Sequence, residues 1–192
     1  MTFLCPSPDA PAPTQTAVIA PVPEADRLVG DYRQHLDASA EWGVPAHVTV
    51  LYPFLAPHEV DEQVIATLTA AVTSVPAFDC RFAQARWFGQ DVLYLVPEPS
   101  QSFRELTAAV WRAFPQHPPY GGAHEDVVPH LTVAERRLAD LPTLEAAERA
   151  VQPCLPLTAR IGQALLVAGT QAPASWRVIQ RLSLGAAVSA GT

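Results

Sequence analysis

The pattern of apolar and polar positions predicts an alternation of short strands with amphipathic helices. Seven short stretches are rich in apolar, β-branched or aromatic residues, a pattern typical of strands. They cover residues 16–22, 47–54, 78–89, 92–96, 129–134, 155–168 and 176–184. Four stretches repeat apolar residues every three or four positions, which is typical of helices. They cover residues 24–42, 59–75, 102–114 and 141–151.

The order of these elements indicates an α+β domain with two lobes. After an opening strand, each half runs helix, strand, helix and then two strands. A length of 192 residues fits one domain, which we expect to span residues 16–185. The Pro- and Ala-rich residues 1–15 are predicted to be a disordered lead, and residues 186–192 a flexible tail.

The charge balance narrows the class of partner. The chain has 12 Lys+Arg, all of them Arg, against 19 Asp+Glu, and a formal net charge of −7. Proteins that grip long nucleic acids usually present a basic face, because neutralisation of phosphates drives their affinity. A long duplex or a long single strand is therefore not expected as the main partner.

Cysteine spacing and hydropathy indicate the compartment. Cys5, Cys80 and Cys154 lie far apart, which argues against a disulfide framework and against a cysteine zinc site. No apolar run reaches the roughly 18 residues that a membrane span needs. The N-terminus has neither the basic start nor the apolar stretch of a secretory signal. We expect a cytoplasmic protein with no membrane partner.

The strongest candidates for catalytic residues lie in a repeated histidine motif. HVTV begins at His47 and HLTV begins at His130, each in a predicted strand. Because side chains i and i+2 of a strand point to the same face, each histidine projects together with Thr49 or Thr132. A single histidine in a strand is more often structural, but the doubled motif with matched apolar flanks favours a site.

Two imidazoles and two hydroxyls on one concave face suit a phosphodiester. One histidine takes a proton from the attacking oxygen and the other gives a proton to the leaving oxygen. The hydroxyls can donate hydrogen bonds to the non-bridging oxygens. This chemistry requires no metal and no cofactor. The residues do not indicate which histidine is the base.

These motifs resemble those of the two-histidine (2H) phosphoesterase superfamily, in particular its bacterial 2′-5′ RNA ligase-like branch. The resemblance lies in GVPAHVTVLYPF, PHLTVA, DVLYLVPEPSQSF, the PPYGG loop and the late Trp176. It implies two pseudo-symmetric lobes, each with an antiparallel-rich sheet and outer helices, around a cleft. It also implies that His47 and His130 are the acid/base pair, with Thr49 and Thr132 as phosphate clamps.

Three aromatic residues are candidates for substrate binding. Tyr52 follows His47 by five residues and suits the rim of the cleft, although a place in the core is equally consistent with its apolar run. Tyr120, between Pro and Gly in a predicted loop at 115–128, suits stacking on a base. Trp176 is a third candidate, with a structural role in its strand as the alternative.

The charged residues that follow the second histidine differ from the usual pattern of this branch. Members of this branch often carry Arg five residues after the second histidine, where this chain has Glu135 followed by Arg136 and Arg137. The departure weighs against an Arg clamp on a second phosphate.

Arg33 and His35 are expected on the exposed face of their helix. His124, Glu125 and Asp126 are interpreted as an exposed loop and not as a metal cluster.

The resemblance and the charge together predict a metal-independent cyclic phosphodiesterase. It would open 2′,3′-cyclic phosphates of a small nucleotide or an RNA end, acting as a monomer. Two alternatives stay open: a 2′-5′ RNA end ligase, and a nucleotide-binding module with little turnover. A structural domain without a site would leave the two His-x-Thr motifs buried or far apart.

Overall fold

The computed structural model describes residues 12–123 and 127–186. These two ranges contain the strands β1 (Gln15–Pro21), β2 (His47–Leu51), β3 (Phe78–Phe88), β4 (Val92–Glu98), β5 (Leu131–Glu135), β6 (Leu157–Ile161), β7 (Gln163–Gly169) and β8 (Arg177–Ser183). They also contain the α-helices α1 (Asp26–Leu36), α2 (Ala38–Glu41), α3 (Glu62–Thr73), α4 (Gln101–Ala113) and α5 (Leu141–Val151). The loop residues 124–126, most of the predicted lead and most of the predicted tail lie outside the described residues.

Two antiparallel sheets of four strands form the two lobes. The first sheet has the order β2-β1-β7-β8, and the second has the order β5-β4-β3-β6. Helices α4 and α3 pack on strands β2 and β8 of the first sheet, whereas α1 and α5 pack on β5 of the second. The expected bilobal α+β architecture is confirmed. None of the helices in the described ranges combines the length and apolarity needed to cross a bilayer.

The two sheets are related by a pseudo-symmetry that places the histidine motifs equivalently. Strand β2 is the edge strand of its sheet and pairs with β1, and β5 is the edge strand of its sheet and pairs with β4. The two edge strands contact each other. Both motifs therefore lie at the junction of the lobes, facing a shared space that we call the cleft.

The predicted strand at 155–168 is wrong, because this run forms two strands of different sheets. β6 pairs with β3 in the second sheet, and β7 pairs with β1 in the first. Gly162 separates them, and its carbonyl accepts a hydrogen bond from the Leu184 amide at 3.0 Å. β6 alternates between buried and exposed residues, whereas β7 is buried along nearly its whole length. Gly162 alone separates the two strands, so the hydropathy pattern gives no turn signal at the change of sheet. The lobes are consequently not the two halves of the sequence, since β7 and β8 return to the first lobe.

The predicted helix at 24–42 is interrupted at Asp37. Asp37 adopts extended backbone angles (φ −129°, ψ 113°) and ends α1. Its carboxylate accepts a hydrogen bond from the Ser39 amide at 2.9 Å, so Asp37 is the N-cap of α2. Capping by a carboxylate satisfies backbone donors that a helix start leaves unpaired, which offsets the broken helical ladder.

Candidate functional site

The two His-x-Thr motifs show the alternation expected of half-buried strands. His47 is the first residue of β2, and His130 directly precedes β5. The apolar residues between and after them (Val48, Val50, Leu131 and Val133) are at most 2% exposed. The histidines and threonines are half-buried on the opposite side. The core thus holds each strand so that its polar residues face the cleft.

Both imidazoles are anchored in the same way. Nδ1 of His47 donates a hydrogen bond to the carbonyl oxygen of Pro45 at 2.8 Å, and Nδ1 of His130 donates to that of Val128, also at 2.8 Å. A carbonyl can only accept, so each neutral ring carries its proton on Nδ1. Nε2 of each ring is then the atom that can accept or pass on a proton in the cleft.

Burial lowers the pKa of both histidines. Burial, the Arg33 guanidinium and His130 lower the pKa of His47 to about 3, against a smaller raising effect of the Pro45 carbonyl. Burial lowers the pKa of His130 as well, whereas the Val128 carbonyl and the Asp37 carboxylate act to raise it. The two motifs are close together because their strands β2 and β5 contact each other.

A β-bulge in each motif strand brings a third residue to the cleft. In β2 the pairing with β1 skips Val50, and in β5 the pairing with β4 skips Val133. Both the skipped residue and the next one are buried in each strand. The alternation is therefore shifted by one residue, which returns Tyr52 and Glu135 to the side of the histidines. Bulges of this kind commonly redirect side chains beside active sites.

Beside the first motif lies a pocket of about 120 Å³ with aromatic walls. It is lined by Ala17, Ile19, Ser39, Trp42, Val44, His47, Thr49, Tyr52, Val167 and Trp176. The Tyr52 hydroxyl donates to Gln15 Oε1 at 2.9 Å, and Trp176 Nε1 donates to the Thr170 carbonyl at 2.7 Å. Two of the three predicted aromatic residues thus share this pocket with His47. Trp42, which the sequence reasoning missed, is a third aromatic wall.

Tyr120 lies against the first motif from the PPYGG loop. Its side chain is hydrogen-bonded to that of Thr49, and burial raises the pKa of its phenol. Its amide donates to the Tyr52 carbonyl at 2.6 Å. Tyr120 adopts a left-handed conformation (φ 53°) that few non-glycine residues occupy, which is typical of residues held in place at functional sites.

The second motif has its own aromatic surroundings, which the sequence reasoning also missed. Phe88 and Tyr94 stack with ring centroids 4.0 Å apart. Both rings meet His130 edge to face, with centroids at 5.0 and 5.5 Å. Tyr94 is the cross-strand partner of Thr132, so the pairing of β4 with β5 was the signal that could have found it.

Glu135 occupies the place that corresponds to Tyr52 in the first lobe. Its carboxylate accepts hydrogen bonds from Nε and Nη2 of Arg137 at 2.9–3.1 Å. It also accepts a hydrogen bond from the Ala38 amide at 3.0 Å, at the start of α2. This side of the cleft therefore carries a carboxylate paired with Arg137 and attached to α2.

The expectation that Arg33 is exposed is wrong, while His35 is exposed as expected. Arg33 is 3% exposed and forms an ion pair with Asp37 at 2.9 Å. Its Nη2 also donates to Ser39 Oγ at 3.1 Å and to the Val44 carbonyl at 3.4 Å. The break at Asp37 supplies these partners, and such compensation is what permits a buried guanidinium.

Within the two described ranges, no group of three or more His, Cys, Asp or Glu side chains is placed to hold a metal ion. The cluster at residues 124–126 lies outside those ranges, so its interpretation stays a prediction.

Gly169 provides a test of the packing behind the pocket. A Cβ at this position would lie 2.5 Å from Trp176 Cγ and 2.7 Å from Trp176 Cα. We expect Gly169→Ala to cost about 1–3 kcal/mol of folding free energy, as overpacking typically does, and to displace the Trp176 ring. Urea unfolding and the fluorescence of the tryptophans measure the two effects.

Gly162→Ala is the matched control for this variant. A Cβ at Gly162, between β6 and β7, meets no atom within 4 Å. Its stability should stay close to that of the wild type. Equal stabilities of the two alanine variants would contradict the close packing of Trp176 on Gly169.

The comparisons with known proteins agree with the fold and identify the family. The model of the 2′-5′ RNA ligase superfamily matches residues 21–172, more than half of the chain. The chain therefore belongs to this family of two-histidine phosphoesterases. Comparison with curated proteins gives no match.

Solved structures of low sequence identity share the fold. E. coli LigT in its apo form is 17% identical with a TM-score of 0.58, covering 91% of this chain and 99% of its own. E. coli LigT complexed with 3′-AMP is 17% identical with a TM-score of 0.56, covering 90% and 99%. TT0787 of Thermus thermophilus is 17% identical with a TM-score of 0.58, covering 90% and 98%.

Proposed function

We propose that this protein is a cyclic phosphodiesterase that opens 2′,3′-cyclic phosphates of small nucleotides or RNA ends. The observation that carries the proposal is the matched pair of imidazoles. Each is fixed through Nδ1 to a backbone carbonyl, which leaves Nε2 for proton transfer. One site with two such groups has what an in-line displacement at phosphorus requires, namely a base and an acid.

In the proposed reaction, one imidazole accepts a proton from water as the water oxygen bonds to phosphorus. The bond from phosphorus to one ribose oxygen breaks, and the other imidazolium gives its proton to that oxygen. The product is a nucleoside 2′- or 3′-monophosphate. Thr49 and Thr132 donate hydrogen bonds to the non-bridging oxygens, where negative charge grows in the transition state. No step of this scheme uses a metal ion or a cofactor.

The pocket of Trp42, Tyr52 and Trp176 is proposed to hold the nucleobase. It opens beside His47 and Thr49, so a base seated there places its ribose phosphate near the imidazoles. Aromatic walls favour stacking with any base. Tyr120, hydrogen-bonded to Thr49, is proposed to cover the nucleotide from the PPYGG loop.

Small nucleotides are supported as ligands by charge and by relatives. A net charge of −7 disfavours a long polyanion. E. coli LigT, of the same fold, has been crystallised with 3′-AMP, with NADP+ and with ATP. The two alternatives are 2′-5′ ligation of RNA ends, which runs the same displacement with a ribose hydroxyl in place of water, and nucleotide binding with little turnover.

The test is hydrolysis of the four nucleoside 2′,3′-cyclic phosphates by the wild-type protein in EDTA. Chromatography against standards identifies the 2′- or 3′-monophosphate formed. We expect turnover that EDTA leaves unchanged. Turnover that EDTA abolishes would overturn the metal-free scheme.

Two further outcomes point to the alternatives. An absence of turnover together with tight binding of AMP would indicate a binding module. Joining of short RNA ends without any hydrolysis of cyclic nucleotides would indicate a ligase.

A further inference from the structure

Arg86 is a cation on the cleft side of the second sheet. It lies in β3, whose pairing with β4 is regular from Gln84 to Phe88, so Arg86 and Phe88 point to the same face. Phe88 meets the His130 ring with centroids 5.0 Å apart. Tyr94, the cross-strand partner of Arg86, meets His130 as well. The guanidinium therefore belongs to the face that carries the second histidine.

The register of the sheet connects Arg86 with the second threonine. Arg86 is opposite Tyr94, and Tyr94 is opposite Thr132, so the three residues form one row across β3, β4 and β5. Neighbouring strands are about 4.8 Å apart, which puts the backbones of Arg86 and Thr132 roughly 10 Å apart. A ligand that Thr132 holds through one phosphate can therefore meet the guanidinium through a second anionic group.

The equivalent row in the first lobe carries no charge. Thr49 is opposite Ile19, and Ile19 is opposite Leu165. Leu165 thus occupies in the first sheet the place that Arg86 occupies in the second. Ile19 belongs to the lining of the aromatic pocket. The two halves of the cleft consequently differ, because the first is apolar and suits a base, whereas the second carries a cation and suits an anion.

The guanidinium is exposed and is oriented by a neutral partner. Gln84 Oε1 accepts hydrogen bonds from Nε and Nη2 of Arg86 at 3.2 and 3.0 Å. These bonds use two of the five N–H groups of a guanidinium. None of the ion pairs in the described ranges involves Arg86. The carboxylate of Glu135, in the neighbouring row, is paired with Arg137. Arg86 therefore offers an uncompensated positive charge to the cleft.

We propose that Arg86 binds a second phosphate of the substrate, namely a 5′-phosphoryl group on the nucleoside whose 2′,3′-cyclic phosphate is opened. The inference rests on the proposed function. In a ribose the base is attached to C1′ and the 5′ group to C4′, on either side of the ring oxygen. With the base in the first lobe and the cyclic phosphate between the histidines, the 5′ group is directed toward the second lobe. Arginine suits this task because its planar N–H groups match two phosphate oxygens at once.

Two sources supply a 5′-phosphoryl group. One is the terminal 5′-monophosphate of a single nucleotide, and the other is the phosphodiester that joins the last nucleotide of an RNA to its neighbour. Both offer at least two non-bridging oxygens to a guanidinium. Three substrates separate the sources: adenosine 2′,3′-cyclic phosphate, its 5′-phosphorylated form, and the dinucleotide ApA that ends in the cyclic phosphate.

The first test compares kcat/KM for these substrates in Arg86→Gln. We expect the variant to lose roughly 10–100-fold more kcat/KM on a 5′-phosphoryl substrate than on the 5′-hydroxyl nucleotide, because a charge-assisted contact is removed. Arg86→Lys keeps the charge without the planar fork and should recover part of this loss. A selective loss on the 5′-monophosphate alone assigns the site to single nucleotides, and one on the dinucleotide assigns it to RNA ends. Equal losses on all three substrates would overturn the inference.

Arg81→Gln is the matched control. Arg81 is on the same strand, is exposed, and has Glu98 as its partner at 3.8 Å. The depression that it lines includes neither motif histidine. The ratio of kcat/KM with and without the 5′-phosphoryl group should equal that of the wild type. An equal change of this ratio in both variants would show a general effect of charge and would contradict the role of Arg86.

Calorimetry supplies a readout that does not depend on turnover. Adenosine 3′-monophosphate and adenosine 3′,5′-bisphosphate differ only in the 5′-phosphoryl group. The wild type should bind the bisphosphate at least tenfold more tightly, and Arg86→Gln should lose most of that advantage. An affinity ratio that is the same in the wild type and in Arg86→Gln would overturn the inference.

The outcomes distinguish this inference from the proposed function. If the wild type hydrolyses the cyclic phosphates and Arg86→Gln changes no selectivity, the inference is overturned while the phosphodiesterase stands. If the wild type hydrolyses none of the three substrates, the proposed function falls, and the affinity ratio alone decides whether Arg86 binds the 5′-phosphoryl group.

Discussion

Replacing His47 or His130 with alanine is expected to lower kcat for a 2′,3′-cyclic nucleotide by roughly 10²–10⁴-fold, the usual contribution of general acid–base catalysis. Both imidazoles are anchored through Nδ1 and present Nε2, so either substitution removes one of the two proton transfers. Stopped assays at the pH optimum of the wild type, for each variant and for the double variant, measure the effect.

The double variant should have a kcat only slightly below that of the less active single variant, because residues that act as a unit contribute non-additively. His58→Ala is the control, since His58 is exposed and follows the end of β2 by seven residues. Its rate should match that of the wild type. A full rate in either His47→Ala or His130→Ala would contradict the two-histidine scheme.

Replacing Thr49 or Thr132 with valine is expected to lower kcat by roughly 10²–10³-fold, the cost of removing one donor to a developing oxyanion. Valine keeps the shape and the β-branching of threonine, so each strand should retain its pairing. Steady-state kinetics and circular dichroism report activity and folding separately.

The two threonines should differ in their effect on KM. Thr49 is also hydrogen-bonded to Tyr120, so Thr49→Val should loosen the PPYGG loop and raise KM, whereas Thr132→Val should act mainly on kcat. Thr67→Val is the control, since the Thr67 hydroxyl donates only to the Gln63 carbonyl of its own helix. Unchanged kcat in both motif variants would contradict the role as phosphate clamps.

The motif residues could be predicted because their signal is local. Period-two alternation in HVTV and HLTV places histidine and threonine on one side and buried valine or leucine on the other. The burial of these residues agrees with that prediction. The element types also followed from short-range patterns, apart from the interrupted helix at Asp37 and the divided strand at Gly162.

Alternation could not predict that Tyr52 and Glu135 lie on the same side of their strands as the histidines. Five residues after a histidine, a regular strand points away from it, yet Tyr52 lines the pocket with His47. The bulges responsible exist only in the pairing of β2 with β1 and of β5 with β4. A bulge depends on the partner strand, so it leaves no period in the strand's own sequence.

The burial of Arg33 could not be predicted from the sequence either. On an amphipathic helix an arginine is expected at the surface, since burial is costly without partners. Those partners come from a helix break and from Ser39 and Val44, and the chain alone does not reveal that they converge.

Local order along the chain is thus sufficient to predict the α+β class and the paired motifs, and to propose two-histidine chemistry. Periodicity and residue type are properties of neighbours in sequence, and they carry this information directly. Four features are visible only in the folded chain. They are the return of β7 and β8 to the first lobe, the two bulges, the aromatic pocket and the buried ion pair. Each of these joins segments tens of residues apart, and such contacts are selected by packing and by the pairing of buried polar groups.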